Sequence, residues 1–174
     1  GNNGFAAIMK SGGFNAVIGN PPYGFHQIHE DILKPYFKAH LVSSGGSFEN
    51  YFLFYEASLK LLAEDGLHGF IVPVTWLTIP SAESLRRFIL DHYAIVDIAW
   101  LPELVFKNAQ VNTLVSIIKH SKPSTTRVLI SSVNDPSAET GTIKEYSQSS
   151  FVDAGYLIRV FESGAESEIL DRID

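Results

Sequence analysis

Short unbroken apolar runs alternate with stretches of helical spacing along this chain. Residues 14–18, Phe-Asn-Ala-Val-Ile, lie between Gly12-Gly13 and Gly19 and predict a short buried strand. Residues 24–47 are polar and mixed, with Pro35 and the run Ser43-Ser44-Gly45-Gly46-Ser47. They predict a long loop with room for one helical turn, and loops of that length are usually functional or mobile. Residues 48–64 predict a helix, because Phe48, Tyr51, Phe52, Tyr55, Leu59 and Leu62 recur at three- and four-residue spacings and Gly66 stands as its stop. A second buried strand follows at 67–74. Ser81 is the expected N-cap of a helix over 82–93 with the apolar stripe Leu85, Phe88, Ile89 and Tyr93. Residues 95–100 and 112–119 predict a third and a fourth strand, joined through 101–111. From Ser121 the composition shifts to Ser, Thr and Pro, with strand-like runs at 127–130 and 156–161. Between them, 134–150 reads as a polar linker, and 166–173 as the first turns of a helix.

Strand, helix, strand, helix, strand is the alternation of a parallel α/β sheet. The later strands follow one another without a helix, which predicts an antiparallel hairpin at the sheet edge. The pattern as a whole describes half of a doubly wound sheet. It divides at Ser121, with residues 1–121 as the chemical half and 122–174 as an edge strand and linker.

Composition narrows the class. The chain has 174 residues, 45% hydrophobic and 12% aromatic, which suits one packed domain. It has no cysteine, so disulfides and thiolate metal sites are excluded, in keeping with a cytoplasmic location. No apolar run reaches membrane-spanning length. A formal charge of −6 argues against this chain alone gripping DNA, because phosphate contacts dominate such affinity.

The candidate chemistry sits at Asn20-Pro21-Pro22-Tyr23, directly after the first strand. In open α/β sheets ligands bind at the carboxyl ends of strands. The Asn20 side-chain oxygen and the Pro21 carbonyl, held by a fixed φ, are two neutral acceptors. Placed at the two hydrogens of an amine conjugated to a ring, they localise its lone pair and make it a nucleophile. Tyr23 offers a face for an aromatic substrate, and catalysis would rest on positioning and electrostatics. Asn and Pro also make plain turns; the strand before and the helix and strand after favour the chemical reading.

The run Phe14-Asn15-Ala16-Val17-Ile18-Gly19-Asn20-Pro21-Pro22-Tyr23 closely resembles the motif IV strand and loop of gamma-class adenine-N6 DNA methyltransferases, nearest to the branch in type IIG restriction–modification enzymes. The likeness continues through 66–76, and through Leu104-Val105-Phe106 into 111–119, which is similar to motif VIII; it covers residues 13 to 120. The resemblance implies the C-terminal half of a Rossmann-like sheet that uses S-adenosyl-L-methionine as methyl donor and double-stranded DNA as partner. A flipped adenine would meet Asn20, Pro21, Tyr23 and Phe106, and Asn20 would also face the cofactor. The family's glycine-rich cofactor loop lies upstream of the motif, so the upstream cofactor half and a downstream target-recognition domain are expected elsewhere in the polypeptide. This chain alone is expected to be inactive. Protein-glutamine and RNA-base methyltransferases share the tetrapeptide and stand as alternatives, as does a non-catalytic piece of a restriction complex.

Other candidates are weaker. Asp135-Pro136-Ser137-Ala138-Glu139-Thr140-Gly141 has Glu139 where a cofactor loop needs glycine. His26, His29, Glu30 and Asp31 lack the spacing of a metal site and read as a solvated or DNA-facing loop. Trp76 and Trp100 are expected at the rim or in the core, and Arg86-Arg87 on a solvated helix face.

Overall fold

The computed structural model describes residues 4–23, 30–44, 49–101, 112–122, 125–130 and 142–160. In chain order the elements are α1 (Phe5–Lys10), β1 (Phe14–Gly19), α2 (Glu30–His40), α3 (Asn50–Leu59), β2 (Leu62–Pro73), α4 (Glu83–His92), β3 (Ala94–Leu101), β4 (Thr113–Lys119), β5 (Thr125–Ile130), β6 (Thr142–Ser147) and α5 (Gln148–Asp153). Short 3-10 turns lie at Val42–Ser44, Val74–Leu77 and Pro80–Ala82. Among the described residues six strands form one mixed sheet in the order β1-β2-β4-β3-β5-β6.

β1 pairs parallel with β2, and β3 parallel with β5, while β4 runs antiparallel to both its neighbours. The carboxyl ends of β1, β2 and β3 therefore share one edge with the start of β4. Every second residue of β2 faces the helices: His68, Phe70 and Val72 are buried. Leu114, Ser116 and Ile118 of β4 and Ile95 and Ile98 of β3 continue that face. Against it lie Tyr51, Phe52, Tyr55 and Leu59 of α3 and Leu85 and Ile89 of α4, all fully buried. On the opposite face Ile18 remains 86% exposed and Leu67 45%, so one side of the sheet is covered and the other more open among the described residues.

Several elements depart from expectation. Residues 30–40 form the helix α2 despite Pro35 in its interior, which lacks the N–H for one i→i−4 bond. α3 ends at Leu59, and β2 begins at Leu62, so Gly66 is a strand residue and not a helix stop. A Cβ on Gly66 would lie 2.8 Å from the Phe14 carbonyl oxygen; glycine lets β1 approach. Ser81 lies inside a 3-10 turn, and α4 begins at Glu83 with no side-chain cap.

β4 is antiparallel to β3 but sits inside the sheet, not at its edge. It carries apolar residues on both faces, which suits a central strand. The antiparallel edge pair is instead β5 with β6. Part of the expected linker is thus ordered, as β6 and α5. Residues 156–160 are not a strand, and the expected helix at 166–173 lies outside the described residues.

Candidate active site

Gly19 closes β1 opposite Phe70 of β2. A Cβ at Gly19 would come within 2.9 Å of Phe70 Cε1, so the residue before the motif has no room for a side chain. From there the chain leaves the sheet at its carboxyl edge. Asn20 is exposed, Pro21 is buried, Pro22 is exposed and Tyr23 is half-buried. Buried proline fixes the backbone beside an Asn side chain left open to the outside.

Tyr23 is pinned from two sides. Its Oη donates to the Ile71 carbonyl oxygen at 3.0 Å, a bond spanning 48 residues of sequence. Its ring meets Tyr51 edge-on, with centroids 6.1 Å apart and planes at 73°. Burial raises the Tyr23 phenol above its ordinary value. Tyr51, in the first turn of α3, is raised further by burial and by the neighbouring Glu49. Tyr51 Oη is buried and finds no hydrogen-bond partner among the described residues. Behind it Tyr55, also raised by burial, hydrogen-bonds Ser116 and packs against Phe70 and Trp76.

The strand-end segments carry no charged side chain: Asn20-Pro21-Pro22-Tyr23, residues 73–78, Leu101, Asn112 and Thr113. The Val74 N–H donates to the Asn112 carbonyl oxygen at 3.0 Å, tying the end of β2 to the start of β4. Phe106 lies outside the described residues, and its flanks Leu101 and Asn112 stand at the same edge as Asn20. His26, His29 and residues 135–141 also lie outside the described residues. Among the described residues no group of acidic or histidine side chains could hold a metal ion, and no helix is long and apolar enough to cross a membrane.

Residues 1–106 match the family of Eco57I restriction-modification methylases. The chain belongs to that family. RM.MjaORFECS2P of Methanocaldococcus jannaschii is 29% identical over 176 residues, covering 97% of this chain and 14% of the relative. RM.Eco57I of Escherichia coli, a type II restriction enzyme and methyltransferase, is 32% identical over 105 residues, 58% of this chain and 10% of its own length. The type IIG restriction endonuclease BpuSI superposes with a TM-score of 0.60 at 17% identity, over 80% of this chain and 20% of that one. The chain thus spans about a seventh or less of these curated relatives. The fold of this Eco57I-type methylase is the Rossmann-like α/β fold of S-adenosylmethionine-dependent methyltransferases.

Sequence reasoning misplaced one residue of the methylase. Arg86 is not solvated: it is 1% exposed, while Arg87 beside it is exposed. A signal was present, since Arg86 shares a helix face with the buried Leu85, Ile89 and Leu90. His68 was also passed over. It is fully buried between Tyr55 and Phe70, with Nε2 at 2.8 Å from Ser58 Oγ, and burial lowers it to about 3. It is a residue of β2 and points into the core between the sheet and α3.

Proposed function

We propose that this chain is the Asn-Pro-Pro-Tyr half of a methyltransferase domain that methylates the N6 amine of adenine in double-stranded DNA, within a restriction–modification system. The observation that carries the reading is Asn20 exposed at the end of β1, between a glycine with no room for a side chain and a tyrosine pinned to Ile71. Asn20 Oδ1 and the Pro21 carbonyl accept the two N6 hydrogens and localise the nitrogen lone pair. Tyr23 and Phe106 stack on the base once it leaves the duplex. Residues 122–174 lead from the sheet edge toward the target-recognition part of the polypeptide.

S-adenosyl-L-methionine, when bound, supplies a methyl group on a sulfonium sulfur. The residues present fit that donor. Positive charge passes from sulfur to nitrogen during transfer, and the uncharged strand ends serve it with dipoles that need no counter-ion. Asn20 is this chain's own contact on the cofactor side. The outer edge of β1, with Ile18 exposed beside it, takes the cofactor half of the same domain.

The test uses the full-length polypeptide in a host lacking adenine methylation, with host DNA assayed for N6-methyladenine by mass spectrometry. The native form should produce the base, and Asn20→Ala should lower it by orders of magnitude while weakening S-adenosylmethionine binding less. Equal methylation by both forms refutes the role of Asn20. No methylated adenine from a folded, cofactor-binding native protein moves the assignment to an RNA or protein amine.

A further inference from the structure

Arg86 is an expensive residue to bury, since a desolvated cation without a matched anion costs far more than an apolar side chain of similar size. Its guanidinium is spent on three main-chain carbonyls. Nε donates to Tyr156 O at 2.6 Å, and Nη1 donates to Trp76 O at 2.9 Å and Ile79 O at 2.7 Å. Glu83, one turn back on α4, is engaged instead by Arg87 at 2.9 Å. Three separate stretches therefore meet at one side chain: α4, the turn that follows β2, and residues 156–160.

The last stretch is anchored besides. The Ile158 N–H donates to Leu77 O at 3.1 Å, Tyr146 Oη donates to Val160 O at 3.0 Å, and Ile158 and Val160 are fully buried. Tyr156 adopts a left-handed φ of 64°, its ring lies 4.0 Å from the Arg87 guanidinium carbon, and its hydroxyl donates to Asp91. The turn continues directly from β2, whose Ile71 carbonyl oxygen accepts from Tyr23 Oη, and the Tyr51 ring meets Tyr23 edge-on.

We propose that Arg86 is a positioning residue for the methyl transfer assigned above. It fixes the turn Val74–Leu77 against residues 156–160 and so sets where Tyr51 and Tyr23 stand at the carboxyl edge. This rests on the proposed function, and it makes the segment after β6 part of the active edge. Packing alone would be served by an apolar residue; a fork of donors fixes direction as well as distance.

The experiment compares the full-length methylase with Arg86→Lys, which keeps the charge and loses the fork. At a temperature well below the Tm of both, kcat for methyl transfer should fall at least tenfold, with KM for S-adenosylmethionine within twofold. Amide hydrogen exchange at residues 77–79 should quicken in the same variant. A lower Tm with unchanged kcat, or unchanged exchange at those amides, overturns the proposal. Should Arg86→Lys not fold, Arg86→Gln takes its place, keeping a neutral amide donor without the charge or the fork. The proposal then requires faster exchange at 77–79 and a lower kcat, and unchanged values overturn it. If the native polypeptide transfers no methyl group, the function assignment fails and this role falls with it, whereas native transfer with an unaffected Arg86→Lys kcat overturns the role of Arg86 alone.

Discussion

Gly19→Ala tests how tightly the end of β1 is built. The new Cβ would lie 2.9 Å from Phe70 Cε1, where ordinary carbon contacts are about 3.5–4.0 Å, so something must move by roughly 0.6–1 Å. Phe70 has little freedom to yield, being 5% exposed and held between Tyr55 and His68. The strain should cost about 1–3 kcal/mol, as overpacked cores do. Asn20 follows directly, and a shift of about 1 Å at a positioning group can cost about a hundredfold in rate. Urea unfolding of Gly19→Ala, Phe70→Leu and the double variant measures the effect. Phe70→Leu loses packing by itself, but in the double variant the clash is gone, so the two costs should fall short of additivity by at least about 1 kcal/mol. A Gly19→Ala protein within about 0.5 kcal/mol of the native one, or strictly additive costs, would refute the argument.

Other expectations follow from single contacts. Tyr23→Phe removes the donor to Ile71 O and should lower stability by about 0.5–1.5 kcal/mol, measured by urea unfolding. On the proposed function, Tyr23→Ala in the full-length polypeptide should weaken binding of duplex DNA with an unpaired target adenine by about 1–3 kcal/mol, the worth of one stacked base. His68 is held neutral by burial, so below its ordinary value of 6.5 the unfolded chain binds the extra proton first. Stability therefore falls as pH drops from 6.5 toward 3, by up to about 1.4 kcal/mol per pH unit, and His68→Leu should flatten that slope. Burial would raise the Glu56 carboxyl, but Lys60 and the Ser43 and Val42 N–H groups outweigh it and hold it below 4.5. Its contribution is present above 4.5 and lost as pH falls below, and Glu56→Ala should cost about 1–3 kcal/mol at pH 7 by stranding the buried Ser43 N–H.

What could be read from the sequence was local. β1 and its motif were legible because a strand run between glycines and a rigid tetrapeptide depend on neighbours alone. The fusion of the α3 and β2 patterns came from the leucines at 59, 61 and 62, which continue the apolar spacing across a Lys60-Leu61 turn that contains no glycine or proline. α2 was hidden by Pro35 and a polar composition. The place of β4 was not legible at all, because strand order is a tertiary choice: the crossover through α4 sets β3 one strand away from β2, and β4 fills the gap. Asn20, Pro21 and Tyr23 could be singled out from sequence as candidates, and they stand together directly after β1. Tyr23's tie to Ile71 and Arg86's tie to Tyr156 could not, since each joins residues far apart in the chain.

The bond between Tyr23 and Ile71 also bears on how such a protein can change over time. It closes a loop of 48 residues, and closure entropy grows only with the logarithm of loop length, so doubling that span would cost about 0.6 kcal/mol. Within the span, α3 is locked into the core, whereas α2 and the following turn are tied back chiefly at Glu56 and Lys60. Chain inserted between the motif and α3 leaves both ends of the closure in place. The stretch after Tyr23 is thus where new contacts can be acquired or discarded by lengthening and shortening, while Gly19, Tyr23 and Ile71 hold the backbone of the motif in place.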